Sequence, residues 1–412
     1  MVLVVNVDRT PLMPCSPVVA RLLLDGGHAK VVRITPFTIR LTRAPETVFV
    51  NDLALGVDSG SRTPGFGVVD GDGNVYYASE VELPQDIGKK MEQRRMYRRN
   101  RRARKSRYRN PRFLNRKNSI KDGRLPPTLR SKIDAHAREI NFIQKVLPIR
   151  SIVIEAGTFD PHALKNPAVQ DDPAIYQRGE LYGFANVKAF VLDRDGYTCR
   201  HCNGRSRETR LHVHHITWRS RGGSDDPENL LTLCKACHDG VHDGSVTLNA
   251  RGKRKGPLRH AMHQIVINKR LLERIPGATA TFGYITKTNR EALGLPKTHY
   301  NDALVISSRG NPLKNGDIDV LSKRCVPKGD YQRTKGVRSE KRIPDGKVHG
   351  FRKFDKVCYR GKTCFVKGRR STGYFALMDI DGTALPFKPI PKAKSIQRLE
   401  ARTSWMVTTI TT

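Results

Sequence analysis

The sequence predicts an α/β multidomain protein, and three observations lead there. Apolar strand segments ending in acids are scattered through the chain, one tract is dense in arginine, and two CxxC pairs bracket a histidine-rich stretch. The 412 residues suffice for roughly two to four domains. Lys and Arg total 75 against 39 acids, a formal charge of +36, so the chain attracts polyanions, and nucleic acid is the expected partner. No run of about 18 apolar residues is present, so no membrane span is expected. The opening "MVLVVNVD" lacks a basic flank and reads as a strand, not a signal peptide. Eight cysteines, four of them in the CxxC pairs, suit a reducing, cytoplasmic setting with one metal site better than a disulfide framework.

Along the chain, residues 1–52 form short apolar runs separated by turn residues, a small strand-rich module. Residues 53–88 alternate strands with Gly and Asp turns in a hairpin pattern. In 89–117, 15 of 29 residues are Lys or Arg against the single acid Glu92, with no Gly and a late Pro111. A helix is expected there to about Asn110. Like charges at i,i+4 destabilise it alone, so it calls for a polyanion.

Within 119–184 lie a helical pattern ("SKIDAHAREINFIQKVL") and a strand ending in an acid ("IRSIVIE"). Residues 181–194 are expected as a helix leading into the thiol and histidine region, 185–258. Segment 259–310 reads as a helix from about Gln264 to Ile275, a strand "ATATFGYITK", and an apolar helix carrying Asp302. The remainder, 311–412, is rich in Gly, Lys and Arg with short strands, a compact basic β module whose last residues are a final strand or a tail.

Cys199, Cys202, Cys234 and Cys237, in two pairs about thirty residues apart, have the ligand count for a closed tetrahedral Zn²⁺ site that holds the fold and leaves no open position. Between and after them come His214-His215, Asn229, His238 and His242, the last two four apart on one helix face. On these residues the segment resembles the HNH nuclease family with its ββα-metal fold. That resemblance implies phosphodiester hydrolysis: His215 as general base, His214 and His238 as ligands of a divalent cation with His242 as a third, and Asn229 fixing the loop. Many relatives carry Asp where this chain has His214, a weaker ligand for Mg²⁺ than a carboxylate.

Asp58 and Glu155 each end an apolar strand, and Asp302 opens an apolar helix with His299 one turn earlier. In this order they resemble the split RuvC domain, an RNase H-like core. The resemblance implies that Asp58, Glu155 and Asp302 bind two Mg²⁺ ions and that His299 assists as base or water-positioner. The whole order resembles the IscB family of transposon-encoded RNA-guided nucleases. It runs from "PLMP" (Pro11 to Pro14) through the first acid, the arginine helix, the second acid, the histidine module and the third acid to the basic β module.

Membership in that family implies a monomer bound to a long non-coding guide RNA and cutting double-stranded DNA. It also implies an arginine bridge helix (89–118) that uses Arg94, Arg95, Arg98, Arg99, Arg101, Arg102, Arg104 and Lys105 on phosphates. The C-terminal module would read a motif beside the target. A protein-only HNH endonuclease and a non-catalytic RNA-binding protein of transposon origin are the competing readings.

Overall fold

The computed structural model describes residues 1–103, 124–156, 181, 183–249, 259–314, 319–327 and 346–411. The chain divides into two compact units, Met1–Thr158 with His263–Thr412, and Phe159–Met262.

In the larger unit the N-terminal strands β1 (Val2–Val5), β2 (Pro11–Cys15), β3 (Ala29–Arg33) and β4 (Thr38–Leu41) form a sheet of order β2-β1-β4-β3. Across it packs α1 (Pro17–Asp25), a helix not anticipated from the sequence. Ser16 caps it, accepting from the Val19 amide, and Pro17 sits where a missing N–H costs nothing. Next come the hairpin strands β5 (Leu53–Asp58), β6 (Gly65–Val69) and β7 (Val75–Glu82), the basic helix α2 (Ile87–Ala103), helix α3 (Pro127–Gln144) and β8 (Ile149–Glu155).

The smaller unit contributes α4 (Val187–Arg194), β9 (Leu211–His215), β10 (Leu230–Cys234) and α5 (Lys235–Asp243). The larger unit resumes at His263, within α6 (Arg259–Arg274), and continues with β11 (Ala278–Thr281), α7 (Gly283–Ala292), α8 (His299–Ser308) and β12 (Asp319–Cys325). It closes with β13 (Lys356–Tyr359), β14 (Lys362–Arg369), β15 (Phe375–Met378), β16 (Ala384–Leu385), β17 (Gln397–Glu400) and β18 (Trp405–Thr411).

Seven strands make the central sheet, in the order β11-β8-β5-β6-β7-β12-β18. β5 is antiparallel to β6 and parallel to β8, and β8 is parallel to β11. Alternation along β5 sends Leu53, Leu55 and Val57 into the core shared with Ile133, Ile140 and Ile143 of α3 and Ile267 and Leu271 of α6. The opposite face receives α8 at backbone distance. A Cβ on Gly56 would lie 2.1 Å from the Ala303 carbonyl oxygen, and one on Gly65 1.9 Å from that of His299. Two glycines therefore decide where His299 and Asp302 sit.

β12 is anchored by a buried ion pair. Lys323 Nζ donates to Glu139 Oε1 and to Tyr77 Oη, both at 2.6 Å, and Glu139 also accepts from Ser79. One carboxylate thus ties β7, β12 and α3 together, and burying it unpaired would cost several kcal/mol, roughly 3–5.

Three expectations change. The helix expected over 181–194 begins at Val187, because Asn186 is extended and caps it and Gly183 lies at φ +90°. The strand expected over "ATATFGYITK" stops at Thr281, and Gly283 onward is helical, with Thr286 and Arg290 buried one turn apart on its inner face. The C-terminal residues split. β13–β17 form their own five-stranded sheet, whereas β12 and β18 pair with each other and β12 joins β7 in the central sheet. The final segment is thus a strand. The expected extension of the basic helix to Asn110 lies outside the described residues.

Candidate active sites

The smaller unit assembles the thiols and imidazoles from a hairpin and one helix. β9 and β10 pair antiparallel, Leu231 opposite His214 and Cys234 opposite Leu211. Arg194 of α4 donates to the carbonyls of Pro227 and Leu230, and Asp195 accepts the Thr232 amide, so α4 is locked to β10. The sulfurs of Cys199, Cys202, Cys234 and Cys237 lie within 4.8 Å of one another. Cys202 and Cys234 are 3.9 Å apart, close to the ~3.8 Å edge of a tetrahedron with Zn–S bonds of ~2.3 Å. All eight cysteines are free thiols, and the four-sulfur group fits zinc.

His214, His238 and His242 form a second group within 4.8 Å. Their ring centroids are 5.2 Å (214–238), 5.2 Å (214–242) and 4.7 Å (238–242) apart. His214 is 4% exposed, and its Nε2 is buried with no hydrogen-bond partner. Burial, with the neighbouring imidazoles, pushes its pKa down to about 4, so the ring is neutral and offers a lone pair. An orphaned, neutral, inward-facing nitrogen fits a cation ligand. His212, given no role from the sequence, has a second buried and unpartnered Nε2 and stacks on His238 at 4.9 Å. The i,i+2 spacing of His212 and His214 on one strand was the signal available for it.

His215 faces away from that trio, and its Nε2 lies 2.8 Å from Asp225 Oδ1, which Arg219 also holds at 2.7 Å. Asn229, 1% exposed, accepts from the Thr217 amide and donates to the carbonyls of Thr217 and Ser224. It closes the loop that carries Asp225. Asp225 itself was not anticipated.

In the larger unit, Asp58 and Glu155 end adjacent parallel strands, Val57 pairing with Ile154, at the carboxyl edge where open α/β sheets bind ligands. Asp302 lies in the first turn of α8, whose N-cap is Thr298. His299 Nδ1 is 2.7 Å from Asp58 Oδ2, and Arg290 Nε is 2.9 Å from Asp302 Oδ1. Glu80 Oε1 accepts the amides of His299 and Tyr300, seating the helix start.

Burial raises the Asp58 and Asp302 carboxyls, and burial together with the charges of Asp58 and Asp302 raises Glu155 to about 6. His299 is raised by its bond to Asp58. Acids that disfavour each other's ionisation are the donor set a divalent cation relieves. Their oxygens are not among the groups gathered within 4.8 Å in the described residues; Asp58 pairs with His299 and Asp302 with Arg290.

On α2, Arg94, Arg95, Arg98 and Arg99 are exposed, with no salt bridge among the described residues. The side chains of Arg101 and Arg102, and the whole of Arg104 and Lys105, lie outside the described residues.

Residues 2–179 match the RRXRR protein family, and residues 199–244 match the HNH endonuclease family. The pattern behind the first name is written out on α2 as Arg98-Arg99-Asn100-Arg101-Arg102. The chain therefore carries an RRXRR segment followed by an HNH endonuclease domain. A stretch of 68 residues, 16% of this chain, is 32% identical to anaredoxin of Nostoc sp. (strain PCC 7120 / SAG 25.82 / UTEX 2576) and spans 87% of that protein. Two crystal structures of Streptococcus thermophilus Cas9 are also similar. One is in complex with the AGAA PAM (12% identity) and the other with AGGA PAM (14%), each with a TM-score of 0.29 over 45% of this chain. The chain spans about a quarter, 26%, of those Cas9 chains. Among the described residues no helix is long and apolar enough to cross a membrane.

Proposed function

We propose that this chain is an RNA-guided DNA endonuclease with two centres. The histidine centre cuts the guide-paired strand, and the carboxylate centre cuts the displaced strand. The observation that carries the reading is the presence, in one chain, of an HNH domain with three converging imidazoles and an arginine-rich helix of the RRXRR type whose Arg94, Arg95, Arg98 and Arg99 are exposed. A helix of that charge gains affinity from phosphates without reading sequence, so specificity is left to a base-paired guide.

In the histidine centre His215 takes the proton from the attacking water, with Asp225 orienting its ring and Asn229 holding the loop that carries Asp225. His214, His238 and His242 hold a divalent cation, and the four cysteines hold a structural zinc. When bound, the divalent cation supplies charge stabilisation at the leaving oxygen. In the carboxylate centre Asp58, Glu155 and Asp302 hold Mg²⁺, and His299, paired with Asp58, positions or deprotonates the water. The basic β module reads a short motif beside the target, and the working form is a monomer with its RNA.

Purifying the protein from its native host and sequencing the RNA that accompanies it tests the proposal. One abundant structured RNA with a variable end is expected. Heterogeneous degraded RNA would overturn guided recognition and leave a protein-only HNH nuclease.

A further inference from the structure

Beside the carboxylate centre the fold exposes aromatic surface that the reaction does not use. β11 runs parallel to β8 with Thr281 opposite Glu155, and the Ala156 amide donates to the Thr281 carbonyl at 2.8 Å. The chain then passes through Phe282, extended at φ −110°, and turns into α7. At that turn the Gly283 backbone touches the acid, since a Cβ there would lie 2.8 Å from Glu155 Oε1. The residues on either side of this glycine are aromatic. Phe282 is 41% and Tyr284 70% exposed, and their rings lie 14° from parallel with centroids 5.9 Å apart. Ile285, next in line, is 37% exposed. Two near-parallel rings on this strand-to-helix corner thus leave much of their surface open to solvent.

The surroundings indicate what covers them. Exposed Lys297 is near enough for its charge to act on both Glu155 and Asp302, and Lys287 stands one turn along α7 with only a loose 3.9 Å contact to Glu291. Flat aromatic faces flanked by cations are what a single nucleic-acid strand requires, its bases stacking and its phosphates meeting lysine. A duplex has no free base face within its stack, so the ligand is unpaired.

We propose that Phe282 and Tyr284 form a stacking platform for an unpaired nucleobase next to the phosphodiester presented to Asp58, Glu155 and Asp302. This rests on the reading of those acids as a cleavage centre. The platform is sequence-tolerant, because every base has a π-face, and it selects single over double strand at the carboxylate site.

The test uses the full chain and a short single-stranded DNA carrying 5-iodouracil, irradiated and mapped by mass spectrometry. An adduct on Phe282 or Tyr284 is expected. Tyr284→Phe should keep it, and Phe282→Ser with Tyr284→Ser should lose it. The same pair should lower affinity for base-bearing oligonucleotide roughly five-fold or more while leaving affinity for an abasic strand of equal length unchanged.

Adducts confined to other segments, or an unchanged preference for the base-bearing strand in the double variant, would overturn the platform. A protein partner on this surface would give that second outcome. Cross-linking needs no cleavage, so the two readings fail separately. An adduct at Tyr284 in a protein that never cuts sinks the cleavage reading alone. Single-strand cutting with no adduct sinks the platform alone.

Discussion

The two candidate centres are built on opposite architectures. The histidine centre is local: its three imidazoles, its loop anchor Asn229 and its four thiols fall between Cys199 and His242. The carboxylate centre is assembled from Asp58, Glu155 and Asp302, on two strands and a helix separated by most of the chain. The first rests on a small core of cysteines and a few leucines, the second on a large core shared by the sheet, α3 and α6. A short segment can stay folded around little apolar burial only when something else fastens it, and four sulfurs within 4.8 Å of one another are suited to do so on a metal. The larger unit rests on its own large core, and its sheet and α8 bring acids distant in sequence to one edge.

The largest effect that tests this contrast is Cys234→Ser. It should release zinc and unfold residues 185–249, a loss on the order of 10 kcal/mol for that unit, while the sheet-bearing unit keeps its own transition. Metal analysis with calorimetry checks it, and a single shared transition that falls as a whole would break the contrast. Next in size, Asp58→Ala should abolish cutting of the displaced strand only and His215→Ala cutting of the paired strand only, each by ~10²-fold or more on strand-resolved gels. Loss of both cuts from either change would show one centre where two are assigned.

A third prediction concerns acid. His136, fully buried in α3 with Nδ1 2.8 Å from the Lys132 carbonyl, has its pKa lowered by burial from 6.5 to about 4. The unfolded chain therefore binds a proton there between those values while the folded chain does not. This contribution is present above about 6.5 and is lost as pH falls toward about 4, up to about 3 kcal/mol. Urea titrations of the larger unit at several pH values should show that slope, and His136→Gln should flatten it. Smallest of all, Arg98→Ala and Arg99→Ala should each reduce the salt dependence of RNA binding by about one phosphate contact, measured as the slope of log Kd on log salt.

Local pattern made the histidine centre legible. CxxC spacing, adjacent histidines and two imidazoles four apart on a helix are short-range signals, and the hairpin and α5 place them as expected. His212 and Asp225 escaped because one needed a neighbour across the hairpin and the other a loop closed by Asn229. In the larger unit Asp58 and Glu155 were legible as strand ends and Asp302 as a helix start, but nothing local marked Gly56, Gly65 and Gly283 as the points of close approach they are. "FGYITK" read as strand because its aromatics and β-branched residues suit a pleated surface, yet burial of Thr286 and Arg290 at helical spacing prevailed.

By itself the sequence determined the chemistry available to this protein: thiolates for a metal, imidazoles and carboxylates for hydrolysis, and arginines for phosphate. These depend on residue type and short spacing. Only the tertiary structure decided that β12 and β18 belong to the central sheet, that Arg290 meets Asp302 and His299 meets Asp58, and that Phe282 and Tyr284 stand exposed beside Glu155. Those outcomes follow from strand pairing and helix packing between residues far apart in the chain, where local propensity carries no information and burial makes the choice.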